Sequence, residues 1–437
     1  MPSLPDWQNQ FRGAVSRRVR GRLQTQRKEV SHARRLKPVA LQAEPSLNDL
    51  ILAIINNYVP EGDTFSPSSS VEPAPRICGS WVEVLPELVG NNTDKVLASA
   101  IRAFAASILS RGPKQRFTIS EGLEAYNHAL VSVNGALRSS YSNFPVSTAA
   151  AVLCLLLAEL FHATSLGSWT AHLQGLAGLM QLARPEVYVS GIPHRLFVGA
   201  RPALVVLAFS SRKASFLAKE EWKSIPFRET DPSPVQALMT EAVAIPSILE
   251  RMDIGGDGAA EEALPAFEAV LARLDAWADG FRSSAPESSP LFWFQPSEDA
   301  KGSSIWFQNI TVASALTHFW AFRVICLRNI DQLRMSCAPH DSSHIPDTST
   351  CFEEAKRLSV MICQSIEYLM QDRMKLFGPT SVPLPFYTAY ETFEAGGDRG
   401  KEELDWCRGI LRNIQTRGYA FLPLYTGSKY SDMLVST

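Results

Sequence analysis

The sequence predicts an all-α fold, with one large helical domain that follows a basic, partly disordered amino-terminal arm. Apolar residues recur at helical spacing through most of the chain, and several of these segments end at Gly or Gly-Pro, which favour helix termination. No stretch of any length alternates apolar with polar residues, as a half-buried strand would. Of the 437 residues, 46% are hydrophobic and 20% are charged, so the chain has enough apolar side chains for a sizeable core.

Four segments show the helical spacing most clearly. They are Val96–Leu109 before Gly112-Pro113, roughly Ile305–Leu333, Ser365–Phe377 before Gly378-Pro379, and Leu404–Ile414 before Gly418. The second is apolar almost all round, which predicts a central, buried helix. The longest apolar run, Ala149–Ala158, has ten residues and is followed by Glu159. It is too short to cross a bilayer, so we expect a buried helix there and no membrane partner.

Residues 1–47 are predicted to form the basic arm or linker, helical in part, and residues 48–437 the helical domain. Breaker-rich segments predict flexible loops near residues 60–77, 283–304 and 338–350.

The arm concentrates positive charge at one end of the sequence. Between Arg12 and Lys37 it carries a net charge of +9, so the rest of the chain carries −11. This asymmetry predicts a polyanion, an import receptor or a membrane surface as partner. The candidate residues for nuclear import or phosphate contact are Arg17, Arg18, Arg20, Arg22, Arg27, Lys28, Arg34, Arg35 and Lys37. A solvated basic linker and an import signal explain these residues equally well, ahead of phosphate contact and a membrane-surface helix.

The cysteines indicate a reducing compartment. Seven of them are scattered along the chain, several inside apolar runs, and they form no disulfide framework. Met1 to Gln10 lacks the apolar core of a secretory signal, so we expect an intracellular protein.

Few residues have the types and spacing that catalysis or metal binding needs. Cys337-x-x-His340, with Asp341, His344 and Cys351 nearby, offers zinc-ligand types without tightly paired spacing. Glu159 and His162 make half of a di-iron motif, but no second Glu-x-x-His is present. Neither a Gly-x-Ser-x-Gly elbow nor a phosphate loop after a strand is found. We therefore expect no enzyme and no catalytic, cofactor or metal site.

From about Trp81 onward the sequence resembles the fungal-specific transcription factor domain, the helical region of fungal zinc binuclear-cluster regulators. The runs that carry the resemblance are Leu97–Leu109, Tyr126–Leu130, Leu155–Glu159, Trp169–Leu179, Arg212–Phe227, Ala313–Ile330 and Ser365–Pro379. The resemblance implies transcription regulation in a fungal nucleus, often of a metabolic or secondary-metabolite gene set. It also implies protein partners, including the transcription machinery and a homo- or heterodimer, and a small-molecule effector. Trp169, His172 and Trp222 are predicted to be core residues.

The sequence departs from this family at its amino-terminal end. In the family, six cysteines hold two zinc ions there, whereas no cysteine precedes Cys78 here. We therefore expect no zinc cofactor and, at most, weak and non-specific DNA binding. A start placed too late, a regulator that works through a partner, and a relic all explain the departure. The alternative function is a helical scaffold or adaptor that never contacts DNA and resides in the cytoplasm.

Overall fold

The computed structural model describes residues 44–61, 80–90, 94–111, 116–139, 146–162, 167–255, 258–284, 290–297, 302–337 and 350–419. These residues form helices and one small two-stranded sheet, which confirms the predicted all-α class. The predicted basic arm and the predicted loops near 60–77 and 338–350 lie almost entirely outside the described residues.

The chain divides into two compact units. The first contains Met1–Asn56 and Val82–Arg184, and the second contains Asn57–Trp81 and Pro185–Thr437. The sequence predicts one helical domain over residues 48–437 and gives no indication of this division.

The first unit contains most of α1 and five further helices. They are α1 (Leu47–Tyr58), α2 (Leu85–Val89), α3 (Lys95–Leu109), α4 (Ile119–Ser139), α5 (Val146–His162) and α6 (Ser168–Ala183), with a 3₁₀ turn at Ser80–Val84. Helix α4 begins at a capping box, because the Thr118 amide donates to Glu121 Oε2 (2.6 Å) and the Glu121 amide donates to Thr118 Oγ1 (3.2 Å). Helix α3 packs against both α4 and α5. Its buried alanines, among them Ala103 and Ala106, allow this close approach.

The second unit contains the remaining elements. Its helices are α7 (Gly191–Ser211), α8 (Glu220–Ser224), α9 (Pro234–Ala242), α10 (Ala244–Ile254), α11 (Ala259–Ser283), α12 (Ile310–Cys337), α13 (Thr350–Leu369), α14 (Phe377–Ser381), α15 (Pro383–Ala395) and α16 (Lys401–Thr416). Its strands are β1 (Phe292–Ser297) and β2 (Gly302–Phe307). Short 3₁₀ turns lie at Pro185–Tyr188, Phe216–Ala218, Ile225–Phe227, Asp372–Met374 and Gly397–Gly400.

Helix α12 is the centre of the second unit, as its apolar pattern predicted. It packs against α11, α13 and α15, and its side chains Trp320, Phe322 and Val324 are buried. By length and composition, Gly191–Ser211 and Ile310–Ser336 could each span a membrane, but 56% and 83% of their apolar windows are buried inside the protein. Buried core helices have the same length and apolar composition, so these two helices are weak evidence for a membrane span.

The start of α12 was predicted wrongly. The structure begins this helix at Ile310, where Asn309 Oδ1 accepts a hydrogen bond from the Val312 amide (2.9 Å). Ile305–Phe307 belongs instead to β2, which pairs antiparallel with β1 in the register Trp293↔Trp306. This hairpin also corrects the prediction of a loop over 283–304.

The end of α13 was also predicted wrongly. The helix stops at Leu369 rather than near Phe377, and the 3₁₀ turn Asp372–Met374 follows it. Lys375 then adopts φ +50° and ψ −145°, a conformation that L residues rarely adopt and that a helix cannot continue through. Gly378 lies inside α14 rather than at a helix end.

Candidate functional site

The predicted import and phosphate-contact residues, Arg17 through Lys37, all lie outside the described residues. Of the zinc-ligand types near Cys337, His340, Asp341 and His344 also lie outside them, while Cys351 is the second residue of α13 and accepts a hydrogen bond from Arg334 Nη1 (3.7 Å). Among the described residues, no group of three or more His, Cys, Asp or Glu side chains could hold a metal ion.

Glu159, one of the two residues in the half di-iron motif, belongs to a buried polar cluster of the first unit. Glu159 is fully buried and accepts a short hydrogen bond from the Tyr126 hydroxyl. The Tyr126 oxygen also lies 2.8 Å from His172 Nε2. Because the hydroxyl has only one proton and donates it to Glu159, His172 Nε2 must supply the proton of this second bond. We name Tyr126, Glu159 and His172 the polar cluster.

The polar cluster links α4, α5 and α6. Burial lowers the pKa of His172, so its ring is neutral near pH 7. His162 points to a different partner, since its Nε2 lies 2.8 Å from Ser107 Oγ on α3. Burial, helped by the Arg111 charge, lowers the pKa of His162 to about 4. The predicted core positions Trp169, His172 and Trp222 are all buried.

A pocket of about 320 Å³ lies beside the hairpin in the second unit. Its volume is at the lower end of the range of small-molecule sites. Three distant parts of the chain line it, and the lining residues are Pro60, Glu61, Trp293, Gln295, Trp306, Phe307, Gln308, Asn309, Ile310, Tyr368, Arg373 and Met374. We name this site the aromatic pocket.

Backbone hydrogen bonds bring the distant parts together. The Leu376 amide donates to the Asn57 carbonyl oxygen (2.9 Å), and the Glu61 amide donates to the Arg373 carbonyl oxygen (2.8 Å). The end of α1 and the residues after it are therefore held beside the turn that follows α13. Tyr58 reinforces this arrangement through an edge contact with the Phe377 ring, at 6.2 Å between centroids.

The hairpin supplies two aromatic walls of the pocket. Trp293 and Trp306 are cross-strand partners and therefore lie on the same face of the sheet. The Trp306 ring contacts the Tyr368 ring of α13 edge to face at 5.7 Å, and its Nε1 donates to Ser304 Oγ (3.0 Å). Trp293 is 37% exposed, so part of this large apolar ring remains open to a ligand.

A guanidinium group lies over this aromatic surface. The Arg373 Cζ is 5.7 Å from the centroid of Trp306 and 5.6 Å from that of Tyr368, within cation–π range. Its Nε donates to Gln371 Oε1 (2.7 Å). Within the part of the chain that the structure describes, Arg373 forms no ion pair with a carboxylate. The nearby acid Glu61 pairs instead with Lys375, the residue with the strained backbone.

The family resemblance implies an effector, but the sequence does not locate a pocket for it. The sequence feature that could have indicated this pocket is the aromatic run Phe292-Trp293-Phe294, which lies in a segment predicted to be a loop. In such a segment, three adjacent aromatic residues favour a strand. Nothing in the sequence indicated that Glu61 and Arg373 would lie beside that strand.

Searches with family models, against characterised proteins and against solved structures find no match to this chain.

Proposed function

We propose that this chain is a regulatory domain of a fungal transcription regulator, that it acts in the nucleus, and that it responds to a small molecule bound in the aromatic pocket. The resemblance to the fungal-specific transcription factor domain supports the regulatory role. The basic arm supports nuclear import. The proposal includes no zinc cofactor and no catalytic residue of its own.

The observation that carries the proposal is the aromatic pocket. It combines a partly open tryptophan face with a guanidinium that lies beside two rings and makes no ion pair with a described acid. Ligand sites in proteins commonly combine an apolar concave surface with a few oriented polar groups. A regulator needs such a site if it is to bind a metabolite and pass the signal to its partners.

The test is a tethered reporter assay in a fungal cell. The full chain is fused to a heterologous DNA-binding domain, and transcription from the matching operator is compared with that of the binding domain alone. We expect the fusion to change reporter transcription, and Arg373→Gln to change that output at equal protein level. Arg357→Gln is the matched control, because Arg357 pairs with Glu354 on α13 and does not line the pocket.

Reporter output equal to that of the binding domain alone would overturn the regulatory role and favour the scaffold or adaptor. Equal effects of Arg373→Gln and Arg357→Gln would overturn the role of the pocket. The chain without the fused domain should be seen in the nucleus by fluorescence microscopy, and cytoplasmic residence would also favour the adaptor.

A further inference from the structure

We propose that the aromatic pocket binds a small planar aromatic carboxylate, whose ring lies against Trp293 and whose carboxylate pairs with Arg373. This inference rests on the effector role proposed for the pocket and names the chemical class of its ligand. It follows from the shape of the pocket, the character of its walls and the distribution of its charges.

The walls favour a flat ring. Trp293, Trp306, Phe307 and Tyr368 all line the pocket, and aromatic rings pack favourably against one another in offset-stacked or edge-to-face arrangements. Trp306 and Tyr368 are already engaged with each other and with Arg373. Trp293 is 37% exposed, and it therefore offers the ring surface on which a ligand can stack.

The charges favour an anion. Glu61, the acid that lines the pocket, is paired with Lys375, so its charge is compensated. Arg373 has no carboxylate partner among the described residues, so its charge is available to an anionic ligand. The amino-terminal end of the long helix α12 also borders the pocket through Asn309 and Ile310, and its dipole favours negative charge there.

The position of Arg373 favours a carboxylate over an anion that cannot present two oxygens in one plane. The Arg373 guanidinium lies beside two rings, and its Nε donates a hydrogen bond to Gln371 Oε1 (2.7 Å). The terminal nitrogens of a guanidinium match the two oxygens of a carboxylate in a planar, bidentate pair. A restricted guanidinium loses less conformational entropy when it forms this pair than a freely moving one would.

Three probes of similar size test the inference on the full-length chain by isothermal titration calorimetry. They are 2-naphthoate, the uncharged 2-naphthamide and the non-aromatic decahydro-2-naphthoate. We expect 2-naphthoate to bind at least about tenfold more tightly than 2-naphthamide, the range for a hydrogen bond to a charged group. It should bind about two- to tenfold more tightly than the non-aromatic carboxylate, the range for an aromatic pair. Equal affinity for 2-naphthoate and 2-naphthamide, or no binding of 2-naphthoate, would overturn the inference.

Variants assign the interaction to its residues. Arg373→Gln should lower the affinity for 2-naphthoate about tenfold and leave that for 2-naphthamide nearly unchanged, and Arg373→Lys should fall between wild type and Arg373→Gln. Trp293→Ala should weaken both aromatic probes. Arg357→Gln should behave as wild type. Circular dichroism establishes that each variant is folded, and an Arg373→Lys affinity equal to that of wild type would overturn the bidentate pairing.

The two proposals fail in different ways. Tight, Arg373-dependent binding of 2-naphthoate together with an unresponsive reporter would leave the ligand class standing and remove the regulatory role. A reporter that depends on Arg373, together with equal binding of 2-naphthoate and 2-naphthamide, would remove the ligand class and leave the regulatory role standing.

Discussion

Acid should lower the free energy of unfolding of the second unit through His318, a buried histidine on α12. The side chain is 6% exposed, and its Nδ1 lies 2.8 Å from the Ser314 carbonyl oxygen. Because a carbonyl oxygen only accepts, Nδ1 carries the proton of the neutral ring. A second proton would have to go to Nε2 inside the core. Burial lowers the pKa of His318 from 6.5 to about 4, although the bond to Ser314 opposes this change.

The sign and size of the effect follow from the difference between the pKa of His318 in the unfolded chain and its pKa in the folded chain. Between pH 6.5 and pH 4 the unfolded chain binds more protons at His318 than the folded chain, so the free energy of unfolding decreases as the pH falls. The contribution is fully present above pH 6.5 and fully lost below pH 4. At about 1.4 kcal/mol per pKa unit, the whole loss is about 3 kcal/mol, of which about 2 kcal/mol occurs between pH 7 and pH 5.

The assay is urea unfolding of wild type and His318→Gln at pH 7 and pH 5, followed by circular dichroism. Glutamine cannot titrate, so the variant should lose about 2 kcal/mol less than wild type between the two pH values. Where the two units unfold in separate transitions, the transition that His318→Gln shifts at pH 7 is assigned to the second unit. The matched control is His128→Gln, which removes an exposed histidine of the first unit. Equal losses in wild type and His318→Gln would refute the reasoning.

Three further substitutions test the packing of the two units. Tyr126→Phe removes the hydroxyl from the polar cluster and leaves a buried carboxylate without that donor, so it should lower the free energy of unfolding by about 1–3 kcal/mol in urea titrations. An unchanged value would mean that the cluster contributes nothing to stability. A Cβ at Gly378 would overlap with the Leu369 carbonyl oxygen, so Gly378→Ala should lower the melting temperature strongly or prevent folding. Gly409→Ala in α16, where a Cβ would meet nothing within 4 Å, should instead stabilise by about 1 kcal/mol, and equal effects of the two glycine substitutions would contradict the packing described.

The helices could be predicted because their signals are local. The three- and four-residue spacing of α12 and α16 is visible in the sequence, and so is the Thr118–Glu121 capping box of α4. The start of α12 was missed because the apolar run continues without interruption from Ile305 into the helix. The break comes from the Asn309 cap and from strand pairing, which depends on residues that lie earlier in the chain.

The aromatic pocket could not be predicted, because it depends on contacts between distant residues. Glu61 and Arg373 are more than 300 residues apart in sequence and are joined by one backbone hydrogen bond. Trp293 and Trp306 share a face only through the register of the hairpin. Tyr126, Glu159 and His172 lie in three separate runs of the sequence, and helical spacing does not specify which faces of different helices meet.

The most direct test of the effector role is hydrogen exchange of the full chain with and without 2-naphthoate, read by mass spectrometry. A ligand in the aromatic pocket should slow exchange in Phe292–Ser297, Gly302–Phe307 and Asp372–Met374, and Arg373→Gln should weaken this protection at the same ligand concentration. Protection confined to other segments, or protection at the pocket that is the same in Arg373→Gln, would contradict the account.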